Sequence, residues 1–137
     1  MLYDVKVSKE WSAASELVTR IPGVTHVALL EIRTSKISEV GHIDLTSGAV
    51  IEFRIRIDET VEGCVAVVRR TQHGRTMHVE QGECQPDHDV LPPSCEINDM
   101  VQRTLYKKGI KADRMIYKGD WSCFLGTELQ ARVPDGC

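Results

Sequence analysis

Aromatic side chains are scarce in this chain: two Trp, three Tyr and two Phe, 5% of 137 residues. They do not interleave with Lys or Arg, which argues against a surface that stacks single-stranded nucleic acid. A surplus of one charge is missing too. Seventeen Lys and Arg stand against 20 Asp and Glu, a formal net charge of -3, whereas a nucleic-acid coat carries a strong basic excess. No window approaches the roughly 20 unbroken apolar residues of a membrane-spanning helix, so no membrane insertion is expected. Met1-Leu2-Tyr3-Asp4 offers neither the basic nor the apolar stretch of a secretory signal, and the expected location is intracellular, in the cytoplasm. Repeats, low-complexity tracts and Ser/Gly linkers are absent as well. Residues 1–137 therefore read as a single domain, long enough for one closed core.

Cysteine is neither rare nor regular. Five occur, at 64, 84, 95, 123 and 137. The odd count, the uneven spacing and a chain large enough to need no covalent staple point to reduced thiols. Cys64 and Cys123 precede apolar residues and read as small core side chains. Cys137 has no visible role.

What is present specifies a fold. Leu2, Val5 and Val7 suggest a short strand, and Ser8 a helix N-cap. Trp11, Ala14, Leu17, Val18 and Ile21 then follow in one helical stripe that Pro22-Gly23 stops. Residues 24–33 are apolar enough for a central strand. The opening is thus expected to be β-α-β. Across residues 51–58, Ile51, Phe53, Ile55 and Ile57 alternate with Glu52, Arg54, Arg56 and Asp58, a half-buried antiparallel strand. Residues 64–71 and 75–80 pair as a hairpin across Gln72-His73-Gly74. A loop over 82–93 leads to a second helix, with Ile97, Met100, Val101, Thr104 and Leu105 on one face and Gly109 beyond its end. Two strands, 112–117 and 122–125, close the chain. The expected class is α+β: a two-layer domain with a β-α-β opening, antiparallel hairpins, a second helix and terminal strands.

Residues that specify chemistry are thinner. His73, His78, Cys84, His88 and Cys95 fall within one segment, and zinc needs four such ligands within about 2.3 Å of one point. His78, Cys84, His88 and Cys95 are therefore the candidate zinc ligands, although no Cys-x2-Cys or His-x3-His pair is present. A cysteine nucleophile needs an electropositive setting, but residues 76–102 contain six carboxylates and no Lys or Arg. Phosphate-binding Gly loops, Gly-x-Ser-x-Gly and His-Glu-x-x-His are all missing. No catalytic residue is assigned.

Charge order supplies the remaining candidates. Glu83, Asp87 and Asp89 crowd the 82–93 loop beside Cys84 and His88, suiting a cation or a basic partner. Arg103 and Lys107 are four apart and share a helix face, with Lys108 and Lys111 at its end, a patch suited to an anionic partner.

Leu45-Thr46-Ser47-Gly48-Ala49-Val50-Ile51-Glu52-Phe53 resembles the first hairpin of a polo-box domain. The later order of strands, Leu91-Pro92 and a helix from Ser94 is also similar to that family. The resemblance implies a peptide-binding or dimerising module. Read from the residues, the expected function is a non-catalytic protein-interaction module or an accessory subunit of a larger assembly. It would act with a protein partner or as a homo-oligomer, without a cofactor. The alternative is a zinc-binding domain built on the 73–95 segment.

Overall fold

The alternation over 51–58 forms a strand. In the computed structural model, which describes residues 4–137, β2 (Val50–Ile57) buries Ile51, Phe53, Ile55 and Ile57 and leaves the residues between them half-buried. It pairs with β1 (Val27–Ser35) on one side and β3 (Val65–Thr71) on the other. β3 turns through Gln72 and His73 into β4 (Gly74–Glu80). Beyond β1 lie β5 (Arg114–Tyr117), β6 (Asp120–Leu125) and β7 (Glu128–Pro134). The sheet order is β4-β3-β2-β1-β5-β6-β7, antiparallel throughout.

Two helical segments cover one face. α1 (Val7–Thr19) buries Val7, Ala14 and Val18, and sets Trp11 against Phe53 with ring centroids 5.9 Å apart. α2 (Ile97–Met100) continues through a wider π turn, Val101–Leu105, and a tighter turn, Tyr106–Lys108. Ile97, Met100, Val101 and Leu105 of the expected stripe are buried. Gly109 ends the segment at φ +67°, a left-handed conformation that glycine adopts without steric cost. The core between helices and sheet includes Phe53, Met115, Tyr117, Trp121 and Cys123. The architecture is α+β, a helix first and strands after it.

The opening departs from β-α-β. Leu2 lies outside the described residues, and Val7 is already helical. Asp4 makes only an isolated bridge to Asp44, and the Val5 N–H donates to the Ile43 carbonyl at 3.0 Å. Ser8 is not the cap. Lys6 holds that position without a side-chain bond, and the free amides find a carboxylate elsewhere. Glu96 accepts from the Val7 N–H at 2.7 Å and from the Ser8 N–H at 3.0 Å, while the Ser8 hydroxyl donates to it at 2.6 Å. The seventh strand is a further addition to the expected set.

The thiols are paired. Cys64 bonds Cys84 and Cys95 bonds Cys137, with Cα atoms 5.8 and 5.3 Å apart, inside the range a disulfide spans. This corrects the expectation of reduced cysteines: Cys64 is a buried half of a cross-link, and Cys137 anchors the end of the chain. Cys123 alone is free, and it is buried. Among the described residues no helix is long and apolar enough to cross a membrane.

Candidate binding groove

The outer face of the sheet, away from the helices, carries the chemistry. Its geometry begins at a bulge in β1. The pairing with β2 slips between Leu29 and Glu31, matching Leu29 with Ile55 but Glu31 with Arg54. A bulge re-aims neighbouring side chains, and here Leu30 joins Cys64, Val65, Val67 and Cys84 in a small apolar cluster separate from the main core. Glu31 follows it into the sheet and is only 4% exposed.

A buried carboxylate costs several kcal/mol unless cations compensate it. Three surround Glu31. Arg33 donates from Nε at 2.7 Å and from Nη2 at 3.3 Å. Lys118 Nζ lies 3.3 Å from Oε1, the oxygen that Arg33 Nη2 also reaches, and Arg54 Nε lies 3.9 Å from Oε2. The hydrogen bond to Glu31 holds the Arg33 guanidinium even more firmly protonated than usual. Arg54 also pairs with Glu80, which accepts from it and lies 3.1 Å from His78 Nε2. The His78 contact first, then Arg54, holds the Glu80 carboxyl below its ordinary range. Glu31 and Glu80 thus answer two of the three cations. Lys118, with 65% of its side chain exposed, is the one most open to solvent.

The opposite wall is the 82–93 loop, which is fixed at four points. The Cys64–Cys84 disulfide ties one end to β3. Arg56 donates from Nε and Nη2 to the two Asp89 oxygens, both at 2.7 Å, a bidentate pair of the stronger kind. That pairing holds the Asp89 carboxyl below its usual range and the Arg56 guanidinium above it. The Val90 N–H donates to the Leu29 carbonyl at 2.8 Å, and the Tyr117 hydroxyl donates to the Leu91 carbonyl at 2.7 Å. Between floor and wall lies a groove of about 770 Å³, lined by Glu31, Arg33, Arg54 and Lys118 on one side and Glu83, Asp87 and Asp89 on the other.

The expected site residues divide. Glu83, Asp87 and Asp89 come together on the groove wall, although Asp89 is already committed to Arg56. His88 lies 3.1 Å from Glu83. His78 projects from β4 toward Glu80. Cys84 and Cys95 are in different disulfides, so in this oxidised state neither sulfur is free for a zinc ligand set. Among the described residues no three His, Cys, Asp or Glu side chains converge as metal ligands. Arg103, Lys107 and Lys108 stay exposed on the second helical segment, and Lys111 lies 3.6 Å from Glu39. The free Cys123 thiol is pushed up to about 11 by burial, far from a thiolate nucleophile.

Sequence reasoning did not single out Glu31, Arg33 or Lys118. The available signal was one acid inside an otherwise apolar run over 27–32, a residue type seldom fully buried without partners. The chain matches no protein-family model, no curated protein and no solved structure, so the polo-box resemblance of residues 45–53 has no counterpart in these comparisons.

Proposed function

We propose that the protein is a non-catalytic protein-interaction module of an oxidising compartment, with the outer groove as its binding surface. The observation that carries the reading is the mismatch of charge on the groove floor. Three cations share two carboxylates, and the most exposed of them, Lys118, faces a wall held rigid by a disulfide and a bidentate ion pair. Such a groove takes a partner's surface loop that carries both signs, a carboxylate for Lys118 on the floor and a cation for Glu83 and Asp87 on the wall. A preorganised wall spares the partner the entropy of ordering it. The two cross-links favour an oxidising compartment over the reducing cytosol, where disulfides rarely persist.

Site-specific photo-cross-linking tests this reading. A photoreactive residue at Asp87, on the groove wall, should give a discrete protein adduct when the oxidised chain is incubated with extract of its own compartment. The same residue at Lys107, on the exposed helix, should give none. An adduct from Lys107 with none from Asp87 would move the binding surface to the helix.

A further inference from the structure

A second surface lies at the other end of the sheet. β4 is an edge strand: among the described residues it pairs with β3 on one side and with no strand on the other. An open edge presents unpaired backbone N–H and C=O groups, a template for another strand. α1 runs beside it on the helix-covered face, pinned by buried Glu10. That carboxylate accepts from Arg75 Nη2 at 3.0 and 3.1 Å and lies 3.3 Å from Arg70 Nε. Two hollows lie in succession along this side of β4, a trough bordered first by α1 and then by residues 21–23 and 59–62. One, of about 320 Å³, lies between Leu17, Arg20 and Arg75. The other, of about 710 Å³, is lined by Ile21, Val61, Met77 and Val79. Val61 is 95% exposed there, and Met77 is among the few large apolar side chains left open to solvent.

We infer that this trough accepts an extended peptide segment of a partner as an eighth strand against β4. Backbone pairing along the edge provides affinity, and alternate side chains enter pockets, the usual division of labour in strand addition. Every other pair in the sheet is antiparallel, and antiparallel ladders are the slightly more stable kind. The incoming strand therefore starts beside Glu80 and ends beside Gly74. Charge sets what it carries. Glu59 and Glu62 border the hollow at its start, and among the described residues neither has an ion-pair partner. Arg20, Arg70 and Arg75 outnumber Glu10 and Glu16 at its end. The occupant is thus an apolar-alternating segment, basic at its N-terminal end and acidic at its C-terminal end. β7, the other open edge, is less suited: it closes in Pro134, which has no N–H to donate. This surface is independent of the outer groove, and each could fail without the other.

The test uses the full oxidised chain and a pool of synthetic peptides about nine residues long, long enough to span β4 at ~3.3 Å per residue. Each peptide alternates Val or Leu with varied polar residues, with Lys first and Asp last. Amide hydrogen exchange at residues 75–79 should slow on addition of the pool, with no change along β7. N-methylation of alternate peptide nitrogens on the β4-facing side should abolish the protection, and Met77→Lys should weaken it at least about tenfold with melting unchanged. A pool with Lys and Asp exchanged should bind more weakly. Absence of protection would overturn the inference, as would equal protection of β7, equal binding of the methylated or exchanged pools, or concentration-dependent protection of β4 by the chain alone.

Discussion

The Glu96 carboxylate caps α1 from 89 residues away, accepting from the Val7 N–H at 2.7 Å. It ties the start of one helical segment to the start of the other. The first amides of a helix lack intrahelical partners, and a negative charge beside them also answers the helix dipole. Glu96→Ala should therefore cost about 1–2 kcal/mol in chemical denaturation, the range of an ordinary lost cap. Ser8→Ala should cost less, since both amides would keep their acceptor. Equal losses would assign the capping to the Ser8 hydroxyl.

The two faces of β2 predict different losses. Phe53 is buried against Trp11, and Phe53→Ala should cost about 3–5 kcal/mol. The outer face is less free than its alternation alone suggests. Arg54 is bonded to Glu80 and helps neutralise Glu31. Arg54→Ala should cost about 1.5–3 kcal/mol, as for a lost hydrogen bond to a charged group, rather than the near-zero of a solvated arginine. A melting loss below about 0.5 kcal/mol would show that the outer network adds no stability.

Thiol counting checks the cross-links. Alkylation in denaturant without reductant should label Cys123 alone, and labelling after reduction should reach all five cysteines. Replacing Cys64 and Cys84 together by Ser should cost about 3 kcal/mol in the chain-entropy account of a loop of that size. The oxidised chain should carry no stoichiometric zinc by metal analysis. Five reactive thiols before reduction, or one zinc per chain, would restore the candidate ligand set His78, Cys84, His88 and Cys95.

Acid sensitivity follows from carboxylates held low in the folded state. Asp58 accepts from the His26 and Thr25 amides and the Thr25 hydroxyl, and these bonds hold its carboxyl far below the ordinary range. Asp89 is lowered by Arg56, and Glu80 by His78 and Arg54. For such groups the stabilisation is fully present above the unfolded value of about 4 and is lost as the pH falls toward the folded one. Denaturation midpoints should be flat at neutral pH and decline below about pH 4, less steeply in Asp58→Asn. An unchanged slope in that variant would place the acid sensitivity elsewhere.

How much of this was legible in the chain depended on periodicity. The β2 alternation and the α2 stripe each carry their own burial signal, and both segments form. β7 alternates Leu129, Ala131 and Val133 with Gln130 and Arg132, but the run is short, ends in proline and buries only Val133, so it carries little burial signal. The disulfides follow from register rather than spacing. Val65 pairs with Glu80, which sets Cys64 near position 81 and hence near Cys84, but that proximity exists only once the hairpin does. The same holds for the groove. The acids of its wall stand out as a run, whereas its floor is assembled from three strands and a turn through a bulge that no local pattern announces. The capping of α1 was misplaced for a related reason: Ser8 is a good local cap, and a carboxylate from the second helical segment displaced it.

The sharpest measurement is the affinity of the partner captured at Asp87 for Lys118→Ala, beside a chain with Lys107, Lys108 and Lys111 all changed to Ala. Lys118 is largely exposed, and Glu31 keeps Arg33 and Arg54 without it, so the melting temperature should hold. If the groove floor receives a partner carboxylate, Lys118→Ala should weaken binding at least about tenfold at low salt and less at high salt, while the triple change leaves it unaltered. Full affinity in Lys118→Ala, with a loss in the triple variant, would contradict the assignment of binding to the groove.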